Sequence, residues 1–299
     1  MQKGSFYILV LLGVFLHQSL FAGWVVIEES HDNLGNHRFQ TTFIQQNMVR
    51  IDGNTTISIL NLNKGELTLI FPQHRIFWKG TPRELKHQTN QLMKQQLQML
   101  LLRAPVNQKD TLRKIIRKMD SSDMFPDSSA AVPVVQFQKT GKVQQIGDFK
   151  TFEYSIRLDS VLLKETLWVT FDKKPYGETD VSKLLLFTRS MNPQSRENMI
   201  SHTSGYANLL KSGLIVKSIV YLPQGVKQIT QLKKVKQMAI SPELFMPPKS
   251  YRPASIEEIM QLDMNAPVPG KNNPWDDQNN DDGFPSFPEK SVVKKQPKF

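Results

Sequence analysis

Apolar and polar residues alternate over much of residues 24–80, and this period of two constrains the fold more than any other feature. Phe39 and Phe43 stand two strand periods apart, as expected for a strand with one buried face. Turn-forming residues interrupt the alternation at short intervals, for example Asp52-Gly53-Asn54. We therefore predict five to six short antiparallel strands in this segment.

The hydrophobic period changes to that of helices over residues 82–119. Thr81-Pro82-Arg83-Glu84 has the form of a capping box, and Ala104-Pro105 is expected to end the first helix. The second helix has an apolar stripe with helical spacing, formed by Leu112, Ile115, Ile116 and Met119. Its other side is basic and carries Arg113, Lys114, Arg117 and Lys118.

Strand patterns return near Val132 and continue to about residue 171. A further helix is predicted from Pro193 to Leu210, followed by a hairpin that ends near Ile240. Because a run of strands is followed by helices and then by strands again, the predicted fold class is α+β with an antiparallel sheet.

The first 23 residues have the organisation of a secretory signal peptide. Lys3 precedes an apolar run from Phe6 to Leu16, and small residues follow at Ala22-Gly23. The run is shorter than the roughly 20 residues of a membrane span, which disfavours the alternative of an uncleaved anchor. We expect cleavage near Trp24 and export to the periplasm. The chain has no cysteine, so neither disulfides nor a lipid-modified cysteine is expected.

A single domain is expected from residue 24 to residue 251, with a basic helical insert at residues 82–119. Beyond Tyr251 the composition shifts towards Pro, Asn, Asp and Lys. Residues 252–299 are therefore predicted to be mostly disordered, because they offer little apolar surface to bury; the exception is Ser255-Ile256-Glu257-Glu258, which can form one or two helical turns.

The net charge of +11 is concentrated in one segment. Residues 82–118 contain nine Lys or Arg and only two acidic residues, a local balance of +7. An anionic membrane surface, an acidic envelope protein or a nucleic acid could use this charge. Export makes nucleic acid the least favoured partner. An ordinary solvated face stays open as the simplest explanation.

Four short segments carry a resemblance to a known family: Val49-Arg50-Ile51-Asp52, Leu67-Thr68-Leu69-Ile70-Phe71-Pro72, Ile76-Phe77-Trp78-Lys79-Gly80 and Leu244-Phe245-Met246-Pro247-Pro248. With these segments the chain resembles a bacterial periplasmic family of unknown function that is similar to the outer-membrane lipoprotein carrier superfamily. The resemblance covers about residues 24–251. It implies a curved antiparallel sheet that forms a half-barrel, with helices over the concave face and acyl chains held between them.

Seven strand residues are expected to line this space: Phe39, Phe43, Leu69, Phe71, Phe152, Tyr154 and Ile156. We predict that their alternation points them to one face, which would leave a mostly apolar pocket of a few hundred Å³ beneath the helices. The alternative is that each of them packs in an ordinary filled core.

No pattern in the sequence indicates catalysis. Metal-binding His or Cys spacings, a Gly-x-Ser-x-Gly nucleophile turn and a glycine-rich phosphate loop are all missing from it. We therefore expect no enzyme activity, no cofactor and no metal. The favoured function is a periplasmic binding protein for a lipid, an acylated protein or another amphiphile. The alternative is a structural or regulatory envelope interaction protein with a filled core.

Overall fold

The computed structural model describes residues 22–120, 135–158, 161–191, 203–221 and 225–265. In these residues twelve strands form one sheet in the order β12-β6-β5-β4-β3-β2-β1-β11-β10-β9-β8-β7. Each neighbouring pair is antiparallel except β12 and β6, which run parallel. The edge strands β12 and β7 do not pair with each other, so the sheet is open.

The first six strands form the predicted meander. They are β1 (Ala22–Asp32), β2 (His37–Gln45), β3 (Met48–Asp52), β4 (Ile57–Asn61), β5 (Glu66–Phe71) and β6 (Ile76–Gly80). The later strands are β7 (Val135–Ile146), β8 (Phe149–Leu158), β9 (Val161–Thr170), β10 (Leu214–Tyr221), β11 (Lys227–Ala239) and β12 (Arg252–Pro253).

Five α-helices accompany the sheet in the described part of the chain. They are α1 (Pro82–Arg103), α2 (Val106–Asp120), α3 (Val181–Met191), α4 (Ser204–Ser212) and α5 (Ile256–Asn265). The α+β class and the mostly antiparallel sheet are confirmed. Contacts divide the chain into residues 1–260 and 261–299; the sheet and α1 to α4 belong to the first unit. Of the second unit only the end of α5 is described.

The start of β1 depends on a glycine. Gly23 pairs with Met238 of β11, and a Cβ atom at this position would come within 2.6 Å of the Ile240 side chain and 2.7 Å of the Ile44 carbonyl oxygen. Only glycine permits this close approach. The paired strand thus begins at Ala22, beside the expected cleavage site, while residues 1–21 lie outside the described part of the chain.

The capping box at the start of α1 is confirmed. The backbone N–H of Glu84 donates to Thr81 Oγ1 at 3.2 Å, and the N–H of Thr81 donates to Glu84 Oε2 at 2.7 Å. These two bonds satisfy backbone donors that the first helical turn leaves without partners. The helix ends at Ala104, whose extended backbone is imposed by the following Pro105.

Helices α1, α3 and α4 lie on one face of the sheet, which we call the helix face; on β1 it carries Val26, Glu28 and Ser30. Trp78, on this face of β6, donates its indole N–H to Gln88 Oε1 of α1 at 3.2 Å. Helix α1 also contacts α3. Helix α3 in turn shares a cluster with α4, formed by Val181, Leu185 and Leu210.

The opposite face of β3 is covered by a short 3₁₀ turn at Pro242–Phe245. Arg50 donates to both carboxylate oxygens of Asp52, at 2.6 and 2.9 Å, and to the carbonyl oxygen of Leu244 at 2.8 Å. Two of the segments that carry the family resemblance are therefore in direct contact. Phe245 is buried beside them.

Helix α3 was missed by the sequence reasoning. Asp180 accepts from the backbone N–H of Lys183, and Val181, Leu184 and Leu185 follow at helical spacing, which is the signal that marks this helix. The helix predicted from Pro193 is described only from Thr203, whose side chain caps α4. The first part of that prediction lies outside the described residues.

Strand β12 and helix α5 follow residue 251, and α5 includes Ile256-Glu257-Glu258, where the sequence allows one or two helical turns. Strand β12 pairs with β6, and Arg252 forms an ion pair with Glu258 at the start of α5. Ile256 and Ile259 are buried. Residues 252–260 are therefore part of the folded unit, because a short apolar stripe follows Ser255. Residues 266–299 lie outside the described part of the chain.

Candidate functional site

The strand register divides the seven predicted cavity residues between the two faces of the sheet. Directly paired residues of antiparallel strands share a face, and successive residues alternate. Phe39 pairs with Glu29, so it lies opposite the helices, and Phe43 lies on the same face. The other five lie on the helix face: Leu69, Phe71, Phe152, Tyr154 and Ile156. The prediction of one common face is wrong, because a one-residue offset in register reverses a strand and the sequence does not fix that offset.

The two residues on the opposite face differ from each other in burial. Phe43 is 2% exposed and lies 5.8 Å from the Arg50 guanidinium, beneath the 3₁₀ turn. Phe39 is 43% exposed. Phe43 is thus a core residue and Phe39 a surface residue, and neither faces the helices.

The helix face is closely packed over the later strands. One cluster joins α4 to β7, β8 and β9 through Val135, Ile156, Leu167, Val169 and Leu209. Tyr154 and Tyr206 pack at its edge, and desolvation raises the pKa of Tyr154. Ile156 is 2% exposed, so it belongs to a filled core.

Part of the helix face stays accessible over the first strands, although Ile44, Val49, Leu60 and Leu67 on this face are buried. Leu69 and Phe71 keep part of their surface accessible to water, as do Ile51 and Trp24 on the same face. Helix α1, which lies on this face, buries none of its residues. A helix that packed fully against a sheet would bury an apolar stripe. Leu69, Phe71 and the residues of α1 therefore keep part of their surface accessible to water.

The connection between α1 and α2 exposes four apolar side chains, which we call the apolar tip. Met99, Leu100, Leu102 and Val106 are 58, 56, 78 and 85% exposed. Single exposed apolar residues are common on protein surfaces, but four within eight positions form a patch. The sequence signal was the run Leu100-Leu101-Leu102 before Pro105, since no single helix face can bury three consecutive residues.

The predicted basic surface lies on α2. Arg113, Lys114 and Arg117 are exposed, and Arg113 forms an exposed ion pair with Asp110 at 3.1 Å. The side chain of Lys118 is outside the described ones. The structure thus places a positive helix surface next to the apolar tip.

A carboxyl group on the helix face was also missed by the sequence reasoning. Glu28 of β1 lies deep enough that desolvation raises its pKa above the ordinary value of 4.5. Part of its side chain nevertheless stays accessible to water. In the sequence, this residue is marked by its acidic side chain among the alternating apolar residues of β1.

The opposite face carries an open groove of about 730 Å³ over the later strands. Most of the residues that line it are polar, among them Gln138, Thr140, Glu153, Ser155, Thr166 and Tyr221. Glu153 is paired with Lys142 at 3.4 Å. The groove differs in position from the predicted apolar pocket, because it lies on the face opposite the helices.

Two further features can be stated for the described ranges. No helix there is both long and apolar enough to cross a membrane. No cluster of three or more His, Asp, Glu or Cys side chains in these ranges is placed to hold a metal ion.

Comparisons with known proteins give distant likenesses only. No protein family model matches the chain, and no curated protein matches it. Two crystal forms of PNGF-II align with 81% of this chain at 8 and 10% identity, with TM-scores of 0.35 and 0.34. The chain spans about a third of their length (32 and 33%). The LolA superfamily protein NE2245 from Nitrosomonas europaea aligns at 7% identity and a TM-score of 0.26, over 76% of this chain and 90% of that one.

Proposed function

We propose that this chain is a non-enzymatic binding protein for an amphiphile such as a lipid or an acylated protein, and that it works in the periplasm. The observation that carries the proposal is the loose contact between α1 and the first strands. Leu69 and Phe71 of the sheet stay partly accessible to water on the face where α1 lies. No residue of α1 is buried. An apolar chain held in a cleft between α1 and these strands would remove that surface from water, which contributes about 25 cal/mol per Å².

In this proposal, the apolar tip and the basic surface of α2 bind the membrane that contains the ligand. Positive side chains attract anionic headgroups, and exposed Leu and Met side chains insert into the apolar layer below them. The half-barrel shape and the helices over a concave face, which the family resemblance implies, belong to this proposal. The exposed tip also favours the second candidate, an envelope interaction protein that docks a partner there.

Uptake of a fluorescent fatty acid tests the binding function. Leu69→Gln on the helix face should weaken uptake about tenfold, because it places an amide in an apolar cleft. Phe39→Gln is the matched control, since Phe39 is an apolar strand residue on the opposite face. It should leave uptake unchanged.

Two results would contradict the proposal. Wild-type protein that takes up no acyl probe would favour the envelope interaction protein. An equal loss of uptake in both variants would mean that the probe does not distinguish the two faces of the sheet. Native mass spectrometry of protein from its own envelope would then identify whether a lipid or a protein is bound.

A further inference from the structure

The open groove on the opposite face is built on four neighbouring strands, β7 to β10. One cross-strand row in it runs through Gln138, Ser155, Thr166 and Ile219. The other side of these strands is closed by α4 and its apolar cluster. The volume of about 730 Å³ lies within the roughly 300–1,000 Å³ of typical small-molecule sites. The groove is therefore large enough to bind a small molecule, and it rests on a packed core.

Two irregularities in strand pairing shape the groove. In the first, residues 140–142 of β7 oppose the single residue Glu153 of β8. In the second, residues 163–165 of β9 oppose Ile156 of β8. Bulges of this kind bend a strand and redirect its side chains, and they are common next to functional sites. Each of the two contributes a carboxyl group to the groove lining, Glu153 at the first and Glu165 at the second.

Both carboxyl groups are almost completely buried. Glu153 is 7% exposed and Glu165 is 3% exposed. Lys142 in the first bulge lies 3.4 Å from the Glu153 carboxylate, and the Thr140 hydroxyl donates to the Glu153 carbonyl oxygen at 3.4 Å. A buried carboxylate costs stability unless such contacts compensate for the lost hydration. Two acids held at this cost in the lining of a groove are typical of a functional site rather than of a plain outer face.

The lining suits a neutral ligand that carries many hydroxyl groups. Acidic and basic residues are equal in number along it, Glu153 and Glu165 against Lys139 and Arg157, although the whole chain carries a charge of +11. Its other polar residues have amide or hydroxyl side chains, which both donate and accept hydrogen bonds. A ligand hydroxyl group has the same double capacity, so it can donate to a carboxylate and accept from a guanidinium. Tyr221, which is 41% exposed, adds a ring against which C–H groups can pack.

We propose that this groove binds a neutral oligosaccharide. A saccharide presents hydroxyl groups around its rings and C–H groups on their faces, which matches a polar lining beside the ring of Tyr221. A peptide fits the position less well, because peptides commonly bind a sheet along a free edge. Three of the four strands under the groove, β8, β9 and β10, are paired on both sides. The inference goes beyond the proposed amphiphile function and is independent of it, since it concerns the other face of the sheet.

Saturation-transfer NMR with the neutral trisaccharides maltotriose, cellotriose and chitotriose tests the proposal on the purified chain. At least one should bind with a Kd of about 1 mM or below, a modest affinity because an open groove leaves part of the ligand in water. Tyr221→Ala should weaken this binding about tenfold. Phe39→Ala is the matched control, since Phe39 is an aromatic residue on the same face, 43% exposed and outside the groove lining. It should leave binding unchanged.

A second pair of variants tests the carboxyl groups. Glu165→Gln should weaken binding about tenfold, whereas Glu29→Gln, which changes an acid on the same face outside the groove lining, should not. If Glu165→Gln impairs folding, the aromatic pair still decides the outcome, because Tyr221 and Phe39 are both exposed.

Four results would overturn the proposal. The first is that none of the three trisaccharides binds. The second is tighter binding of the acidic trisaccharide trigalacturonate that disappears at high salt, since this would reflect the net charge of the chain. The third is an equal loss of binding in Tyr221→Ala and Phe39→Ala, which would place the sugar outside the groove. The fourth is displacement of the sugar by tetra-alanine, which would assign the groove to a peptide.

Discussion

Helices α1 and α4 lie on the same face of one sheet, yet they make opposite use of their apolar residues. Helix α4 has nine residues and buries Leu209 and Leu210, whereas α1 has 22 residues and buries none. In α4 the apolar residues are confined to one stripe that meets the strands. In α1 they spread around the helix as it approaches Ala104. Helix formation and helix packing are thus separate outcomes, the first decided by local signals and the second by the distribution of apolar side chains.

The largest effect that separates the two regions should appear in membrane binding. Changing Arg113, Lys114, Arg117 and Lys118 to Gln removes four charges from α2, each of which contributes about 1 kcal/mol near an anionic surface. Affinity for phosphatidylserine-containing vesicles should fall by up to about a thousandfold at low salt, and the loss should shrink as salt screens the charges. Vesicle co-sedimentation measures both effects.

A control with the same change in net charge distinguishes a local surface from the overall charge. Lys173, Lys174, Lys211 and Lys249 are exposed and lie outside the hairpin of α1 and α2. Changing these four to Gln should weaken vesicle binding far less. If both quadruple variants lose binding equally, the basic surface of α2 is an ordinary solvated face.

A matched pair of leucine substitutions tests the difference in packing. Leu209→Ala in α4 should destabilise the protein by about 2–4 kcal/mol, because it leaves a cavity in a closed cluster. Leu102→Ala in the apolar tip should change the free energy of unfolding by less than about 0.5 kcal/mol, because Leu102 is 78% exposed. Urea unfolding of both variants gives the comparison. A large loss for Leu102→Ala would mean that the tip is covered in solution.

The parts of the fold that sequence could predict are those set by local chemistry. The meander, the capping box at Thr81 and the end of α1 at Ala104 follow from residues a few positions apart. What sequence could not give is set by pairing between distant strands. The register across β2 to β5 decides that Phe43 and Leu69 lie on opposite faces, although both belong to alternating strands. The same register places Glu28 beneath the helices and Glu29 outside them, a distinction that two adjacent glutamates do not reveal by themselves.

These two adjacent acids also give the smallest and most specific test of the difference between the faces. Desolvation raises the pKa of Glu28, so its folded form holds a proton more tightly than its unfolded form. The stability that this provides is present below the ordinary pKa and is lost as pH rises through the raised value. Relative to Glu28→Gln, the wild type should therefore become less stable as pH rises above about 4.5. The cross-strand neighbours Gln40 and Leu232 carry no charge in this range, and the raised pKa of Tyr176 keeps that phenol neutral.

Glu29 should behave with the opposite sign. Its hydrogen bond to Lys233 holds its pKa below the ordinary value, against a smaller effect of desolvation. The stability it provides is present above that value and is lost as pH falls. Thermal melts at constant ionic strength should show the stability advantage of Glu28→Gln over the wild type growing as pH rises. Over the same rise in pH, Glu29→Gln should become less stable than the wild type. Two curves that move in the same direction would show that the two faces of β1 do not differ in polarity.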